Sequence, residues 1–134
     1  MSPPCAGFII FSQSGDKVLL ISTHKNIIGF PKGKKEKDED SITAAYRELH
    51  EETGLTANMI KPVQGLYVDE MSIRGNYATR LYIGILSIEN PQLEPIDHGE
   101  IASVYFEDIG QAMIQLMPKR KKVLASALSL INEV

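Results

Sequence analysis

The sequence lacks the features that would cross-link a chain covalently or carry it through a membrane. Its one cysteine, Cys5, cannot form a disulfide within the chain, and an apolar run follows it, so we expect a small buried side chain. No apolar stretch approaches ~18 residues, and no basic segment precedes the first one, so we expect neither a membrane span nor a signal peptide. These absences favour a cytoplasmic protein.

The sequence also lacks a large excess of either positive or negative charge. The chain has 14 basic and 17 acidic residues, with a net charge of −3. The strongly basic character typical of nucleic-acid-binding proteins is therefore absent, and RNA stays a possible but not a favoured partner. With 43% apolar residues, a chain of 134 residues can bury a core. We expect a single domain over residues 1–134, as a monomer or a dimer.

Apolar periodicity predicts the element order ββ-α-βββ-α, an α/β or α+β domain with helices against a mixed sheet. Strands are predicted at 6–11, 17–23, 60–69, 77–88 and 102–106, and the first two resemble a hairpin. A loop with Gly29, Pro31 and Gly33 follows the second strand. A helical region is predicted to start near Asp108, and Pro118 should break or restart it.

The best-defined element is a helix over Ser41–Thr53, with Asp40 as its N-cap and Gly54 as its C-terminal stop. A spacing of 100° per residue predicts which side chains pack on a sheet. This expected apolar face consists of Ile42, Ala45, Tyr46, Leu49 and Thr53.

Three glutamates of this helix, Glu48, Glu51 and Glu52, project within an arc of about 100°. Carboxylates this close repel one another, and a hard cation among them would remove that repulsion. Such oxygen ligands suit Mg²⁺, with Mn²⁺ as a substitute. The alternative is a solvated acidic face, which is common on surface helices. Small residues earlier on the helix are expected to leave room for a bulky polyphosphate: Ser41, Ala44 and Ala45.

The residues around the glutamates favour a metal site. Gly33 lies six residues before Glu39, Glu39 lies eight before Arg47, and Gly54-Leu55 closes the helix. So many fixed residue types at fixed spacing should occur by chance less than about once in a million chains of this length. The run 33–55 resembles the complete signature of the Nudix hydrolases, and every fixed position of that pattern is matched.

The resemblance implies a Nudix-type α/β/α sandwich, a mixed sheet with helices on both faces. It also implies a catalytic Mg²⁺ site, to which a backbone carbonyl near Gly33 adds a ligand. The implied metal ligands are Glu48, Glu51, Glu52 and Gly33. Arg47 would orient a metal-binding glutamate, Glu39 would pair with Arg47, and Gly54 would supply the turn after the helix.

The implied chemistry is hydrolysis of a diphosphate linkage by metal-activated water. A general base is required, and both Glu48 and Glu100 are candidates. Many family members carry a catalytic or metal-binding glutamate in the loop before the last strand, where Glu100 stands. The alternative for Glu100 is an ordinary loop carboxylate.

The segment Phe30-Pro31-Lys32-Gly33 resembles the entry to this signature in three groups of enzymes. These are dinucleoside polyphosphate hydrolases, diphosphoinositol polyphosphate hydrolases and mRNA decapping enzymes. Lys32 is well placed to meet a phosphate. The opening segment 5–11 and the run Lys122-Val123-Leu124 look most similar to asymmetric diadenosine tetraphosphate hydrolases.

The implied function is therefore Mg²⁺-dependent hydrolysis of a small nucleotide, with a dinucleoside polyphosphate such as diadenosine tetraphosphate as the first candidate. RNA 5′-end decapping or pyrophosphohydrolysis and diphosphoinositol polyphosphate hydrolysis are the alternatives. A non-catalytic nucleotide-binding module is the least favoured, because such modules usually lose glutamates of the signature and none is lost here.

Further substrate contacts are predicted in the segment 74–82, which leads into the strand predicted at 77–88. Arginine can hold phosphate bidentately and tyrosine can stack on a base. The candidates are Arg74, Tyr77, Arg80 and Tyr82, of which Arg80 and Tyr82 share a sheet face. A core role for Tyr82 and a surface role for Arg74 stay open. The basic cluster 119–122 could contact RNA or form a solvated turn.

Overall fold

The computed structural model describes residues 3–72, 75 and 78–133. Its strands are β1 (Cys5–Phe11), β2 (Lys17–Thr23), β3 (Ile28–Gly29), β4 (Lys32–Lys34), β5 (Ile60–Met71), β6 (Ala78–Leu86) and β7 (Ile101–Asp108). Its helices are α1 (Ser41–Thr53), α2 (Ile109–Gln115) and α3 (Pro118–Asn132), with a 3₁₀ turn at Ala57–Met59.

The strands form one mixed sheet in the order β3-β2-β1-β6-β5. β1 and β6 run parallel, and the other pairs are antiparallel. β1 changes partner along one edge, because its start pairs with β4 and its end meets β2 at Phe11 and Val18. The predicted hairpin of β1 and β2 thus has few paired residues, and β2 pairs mainly with β7. The pairing of β4 with the start of β1 places β4 beside α1.

Helices cover both faces of this sheet, as the resemblance implied. On one face, Phe8 and Leu19 pack with Leu49 of α1. On the other face, Ile9 and Leu20 pack with residues of α2 and α3 that include Leu124. Side chains alternate between the two clusters along β1, as the two-residue period of a strand requires. Cys5 is buried at one end of β1, as predicted.

The bounds predicted for α1 are confirmed. The Asp40 carboxylate accepts a hydrogen bond from the Thr43 N–H at 2.9 Å, and Gly54 adopts a left-handed φ of 81°. Two expectations about the surface of α1 were wrong. Ile42, in the first turn of α1, is 36% exposed because it faces an open cavity that Tyr46 also lines. Ala44 and Ala45 are fully buried against the sheet, so their small size allows close helix packing rather than a ligand's approach.

The segment after β2 and the C-terminal region are more ordered than predicted. Two short strands, β3 and β4, replace the expected loop around Gly29–Gly33. β3 forms a local hairpin with β2, the strand before it, and β4 pairs with the more distant strand β1. Pro118 restarts the helical region as α3, where proline suits the first turn. In the part of the chain that the structure describes, no helix is long and apolar enough to cross a bilayer.

Candidate active site

The structure brings β4 against the C-terminal half of α1. Glu52 is only 4% exposed, although it carries a carboxylate. The backbone N–H of Lys32 donates a hydrogen bond to Glu52 Oε1 at 3.1 Å. This contact joins the Pro-Lys-Gly segment to the predicted metal ligands, and it directs the Glu52 side chain inward rather than to solvent.

Gly33 is the point of closest approach between β4 and α1. A Cβ atom at this position would lie 2.3–2.4 Å from the carboxylate atoms of Glu48. A contact this short cannot exist, so any side chain at position 33 would displace Glu48. The requirement for glycine here therefore comes from the proximity of the Glu48 carboxylate and not from backbone conformation.

Arg47 lies at the centre of a group of carboxylates. Its guanidinium donates to both carboxylate oxygens of Glu39, at 2.8 and 2.9 Å, and to Glu48 at 2.9 Å. It also reaches Glu51 at 3.4 Å and the Lys34 carbonyl at 2.9 Å. Bidentate pairing fixes a guanidinium in direction as well as position. Arg47 thus connects the loop after β4 to the acidic side of α1.

Burial and neighbouring negative charges raise the pKa of two carboxylates in this region, Glu52 and Glu48. Burial, together with the charges of Glu48 and Glu100, raises the pKa of Glu52 to about 8, against the opposing hydrogen bond from the Lys32 N–H. Burial also raises the pKa of Glu48, and Arg47 opposes that rise. A buried carboxylate with this much unbalanced negative charge around it is stabilised by any cation that joins it.

The donor atoms suit a hard divalent cation. Glu48 and Glu52 supply carboxylate oxygens, the ligand type that Mg²⁺ and Mn²⁺ prefer. Among the described side chains, no three acidic, histidine or cysteine groups already converge on a point that could hold an ion. Glu48 and Glu51 turn towards Arg47 instead, and the side chain of Glu51 is 41% exposed. A bound ion would therefore require these two side chains to change orientation.

The loop before β7 is tied to the end of α1, and this tie places Glu100. The backbone N–H groups of Ile96 and Asp97 donate to the carbonyl oxygen of Glu51, at 2.8 and 2.9 Å. The Asp97 carboxylate then accepts from the N–H groups of Gly99 and Glu100. Glu100 is exposed, yet its charge acts on both Glu48 and Glu52. Sequence reasoning missed that the Asp97 side chain holds this turn. The run Asp97-His98-Gly99-Glu100 was the signal that could have predicted it.

A cavity of about 190 Å³ opens beside these carboxylates. Its charged lining residues are Lys32, Glu52, Glu100 and Arg120. Lys32 was predicted at this entrance, whereas Arg120 was predicted only within a basic cluster. Arg120 lies in the first turn of α3, far from the signature 33–55 in the sequence. No spacing rule connects the two.

Arg80 and Tyr82, two of the other predicted substrate contacts, do not line this cavity. Arg80 donates to both carboxylate oxygens of Asp69, at 3.0 and 3.1 Å, and its guanidinium lies 4.0 Å from the ring centre of Tyr67. Tyr82 packs near Phe8 and Tyr67 and lines a separate, mainly apolar cavity of about 460 Å³. Arg74 and Tyr77 lie outside the described residues. The substrate roles of these four residues stay predictions.

Comparison with known proteins places these features in a family. A family model described as the NUDIX domain matches residues 1–127. The mRNA decapping complex subunit 2 of Schizosaccharomyces pombe is 40% identical over 83 residues, which cover 60% of this chain and 11% of that protein. The RNA pyrophosphohydrolase of Pelagibacter ubique is 44% identical over 67 residues, which cover 47% of this chain and 42% of that protein.

The chain thus spans 11% to 42% of the length of these two curated relatives. Among solved structures, the C. elegans Ap4A hydrolase in a binary complex superposes with a TM-score of 0.85. That match covers 97% of this chain and 99% of the other, at 16% sequence identity. At this identity the likeness shows a shared fold and carries no information on substrate.

Proposed function

The chain belongs to the Nudix family, and from this premise we propose that it hydrolyses a diphosphate linkage in a nucleoside polyphosphate. A dinucleoside polyphosphate such as diadenosine tetraphosphate is the first candidate. The observation that carries the proposal is the buried carboxylate of Glu52, which lies close to the negative charges of Glu48 and Glu100. Such an arrangement is costly unless a cation completes it.

We assign the metal to Glu48, Glu51 and Glu52, with Mg²⁺ as the natural ion and Mn²⁺ as a substitute. When bound, the ion would neutralise phosphate charge and lower the pKa of a water molecule. Arg47 would act as a positioning residue, because its guanidinium contacts Glu48 and Glu51, and Glu39 would hold that guanidinium through two hydrogen bonds. Lys32 would contribute a positive charge to a phosphate at the entrance of the cavity.

The general base is proposed to be Glu100 rather than Glu48. The Glu48 carboxylate accepts a hydrogen bond from Arg47 at 2.9 Å, so fewer of its lone pairs are free to take a proton from water. The Glu100 carboxylate is exposed at the edge of the cavity, where water can reach it. If Glu100 is the base, Glu100→Gln should remove the acidic limb of the pH profile of kcat. An unchanged acidic limb in that variant would return the role to Glu48.

A second candidate is hydrolysis at the 5′ end of RNA, by removal of a cap or of pyrophosphate. It is favoured by the two sequence relatives, whose names are an mRNA decapping complex subunit and an RNA pyrophosphohydrolase. The chemistry overlaps with the first candidate, because a cap also joins two nucleosides through a 5′,5′ polyphosphate chain. The net charge of −3 disfavours extended contacts with RNA.

A Mg²⁺-dependent hydrolysis screen with chromatographic analysis of products tests both candidates. It should compare diadenosine polyphosphates, capped RNA, 5′-triphosphate RNA, nucleotide sugars, nucleoside triphosphates and diphosphoinositol phosphates. Cleavage of diadenosine tetraphosphate with the highest kcat/KM supports the first candidate. Products on RNA alone would establish the second candidate instead. Full activity in a double variant, Glu51→Gln with Glu52→Gln, would refute the metal assignment itself.

A further inference from the structure

Arg120 reaches from the first turn of α3 across to β3. Its Nη1 donates a hydrogen bond to the Ile28 carbonyl at 2.8 Å. The guanidinium lies against Gly29, where a Cβ atom would come within 2.9 Å of Nη1 and 3.0 Å of Cζ. The absence of a side chain at position 29 therefore makes room for this guanidinium.

Most of the hydrogen-bonding capacity of Arg120 is unused. A guanidinium has five N–H donors, and the described contacts of Arg120 use one of them. Throughout residues 3–72, 75 and 78–133, no carboxylate lies within ion-pair distance of it. By contrast, Arg47 and Arg80 each hold a carboxylate through two hydrogen bonds. Arg120 is thus available for an anion.

The position of Arg120 on α3 is unfavourable for the helix itself. Lys119, Arg120 and Lys121 follow Pro118 in the first turn, where the helix dipole disfavours positive charge. Lys119 donates to the Ser72 carbonyl at 2.5 Å, whereas Arg120 points to the cavity. A charge that opposes local helix stability and is aimed into a cavity is better explained by a ligand than by a solvated turn.

The cavity itself sets the kind of ligand. Its volume of about 190 Å³ is below the ~300–1,000 Å³ of sites that enclose a drug-sized molecule. It therefore suits one or two phosphate groups rather than a whole nucleotide. Lys32 and Arg120 provide positive charge, and Glu52 and Glu100 line the same space. A phosphate chain would enter most readily together with a divalent cation that offsets the two carboxylates.

We propose that Arg120 is a substrate-binding residue, and that its guanidinium and Lys32 together hold a phosphate group of the substrate in this cavity. The inference rests on the proposed function, and it adds a contact that lies outside the Nudix signature. The planar guanidinium can bind two oxygens of one phosphate at once, which a lysine at position 120 could not do.

Titration calorimetry of magnesium imidodiphosphate binding tests the proposal without turnover, because the P–N–P link of this compound resists hydrolysis. Arg120→Gln should weaken binding by about 10- to 100-fold, the range for loss of a charge-assisted hydrogen bond. Arg120→Lys should recover part of the loss. Gly29→Ala keeps the arginine but displaces the guanidinium, so it should also weaken binding. Lys122→Gln, an exposed neighbour on the same helix, should bind like the wild type.

Melting temperatures of all four variants, and KM and kcat for diadenosine tetraphosphate, complete the test. We expect the loss in Arg120→Gln to be mainly in KM, at temperatures where every variant stays folded. Imidodiphosphate affinities in Arg120→Gln and Gly29→Ala that equal the wild type would overturn the role of Arg120. If the wild type hydrolyses no diphosphate in the substrate screen, the proposed function fails instead, whatever the binding data show.

Discussion

Two charged regions on this sheet differ in how their charges are balanced. On β5 and β6, Arg80 donates to both oxygens of Asp69 and lies over the ring of Tyr67. Beside α1, Glu52 accepts a hydrogen bond from the Lys32 N–H, while its burial and, to a smaller extent, nearby carboxylates raise its pKa. The first region is complete within the chain. The second has a surplus of negative charge.

This difference separates a stabilising contact from a candidate site. A matched ion pair at a partly exposed position contributes little and requires nothing more. A buried carboxylate without a matching cation costs free energy, and folded proteins keep such groups mainly where a ligand completes them. The comparison predicts large functional effects from changes beside α1 and small ones from changes on β5 and β6.

The largest effect is expected from Glu52→Gln. The amide has nearly the same shape but no charge, so it should weaken metal binding and lower kcat by about 100-fold or more, as expected for several kcal/mol of metal-based stabilisation. Steady-state hydrolysis of diadenosine tetraphosphate with Mg²⁺ measures this loss. Glu89→Gln, on an exposed loop, is the matched control. A Glu52→Gln variant with wild-type kcat would show that the carboxylates beside α1 are not a functional site.

The metal-free protein should become less stable as the pH rises from about 5 to 8. The pKa of Glu52 is raised from its ordinary 4.5 to about 8, so the folded state holds this proton more tightly than the unfolded state. The resulting stability is fully present below pH 4.5 and is lost as the pH rises through 8. Melting temperatures in EDTA should show this fall, and Mg²⁺ should reverse it at pH 8. Glu52→Gln should flatten both dependences, and a melting temperature that rises across this range in the metal-free wild type would contradict the assignment.

Gly33→Ala should weaken metal binding by about 10- to 100-fold, the size expected when a ligand's support is disturbed. The added Cβ would overlap the Glu48 carboxylate, so Glu48 must move. Calorimetric titration with Mn²⁺ measures the change. Gly110→Ala is the matched control, because a Cβ at Gly110 meets nothing within 4 Å. Equal Mn²⁺ affinities in the two variants would mean that Glu48 does not bind the ion.

Glu39→Gln should lower the stability of the fold near neutral pH and leave it almost unchanged near pH 2. Hydrogen bonds from Arg47, and one from the Glu36 backbone, lower the pKa of Glu39 from 4.5 to about 2. A lowered pKa stabilises the fold above pH 4.5, and this contribution is lost as the pH falls to 2. Urea unfolding midpoints of wild type and variant should therefore differ at pH 6 and converge near pH 2. A difference that grows towards acid would show that Arg47 does not control this carboxylate.

The smallest effect is expected from Asp69→Asn, which removes the charge that Arg80 faces. Both side chains are partly exposed, so the change in the free energy of unfolding should be about 1 kcal/mol or less. Chemical denaturation measures it. KM should change little if Arg80 serves the sheet alone. A tenfold change in KM would instead support the phosphate-binding role that the sequence predicts for Arg80.

The sequence predicts best those features that depend on interactions between residues close together in the chain. The bounds of α1 follow from Asp40 and Gly54, whose cap geometry involves only neighbouring residues. The short strand β4 was missed because it pairs with β1, which is distant in the sequence, and β3 was missed because its two residues are too few to show a periodicity. The same limit applies to the candidate site. The carboxylates come from one helix and carry a strong spacing signal, whereas Arg120 contacts Ile28 across 92 positions.

The central claim is that the unbalanced carboxylates beside α1 hold a divalent cation. Electron paramagnetic resonance of Mn²⁺ titrated into the protein at pH 7.5 tests it directly, since free and bound Mn²⁺ give different signals. The wild type and Glu89→Gln should bind Mn²⁺ equally, and Glu52→Gln should bind it at least about tenfold more weakly, as for loss of a charged ligand. Equal Mn²⁺ affinity in Glu52→Gln and the wild type would contradict the claim.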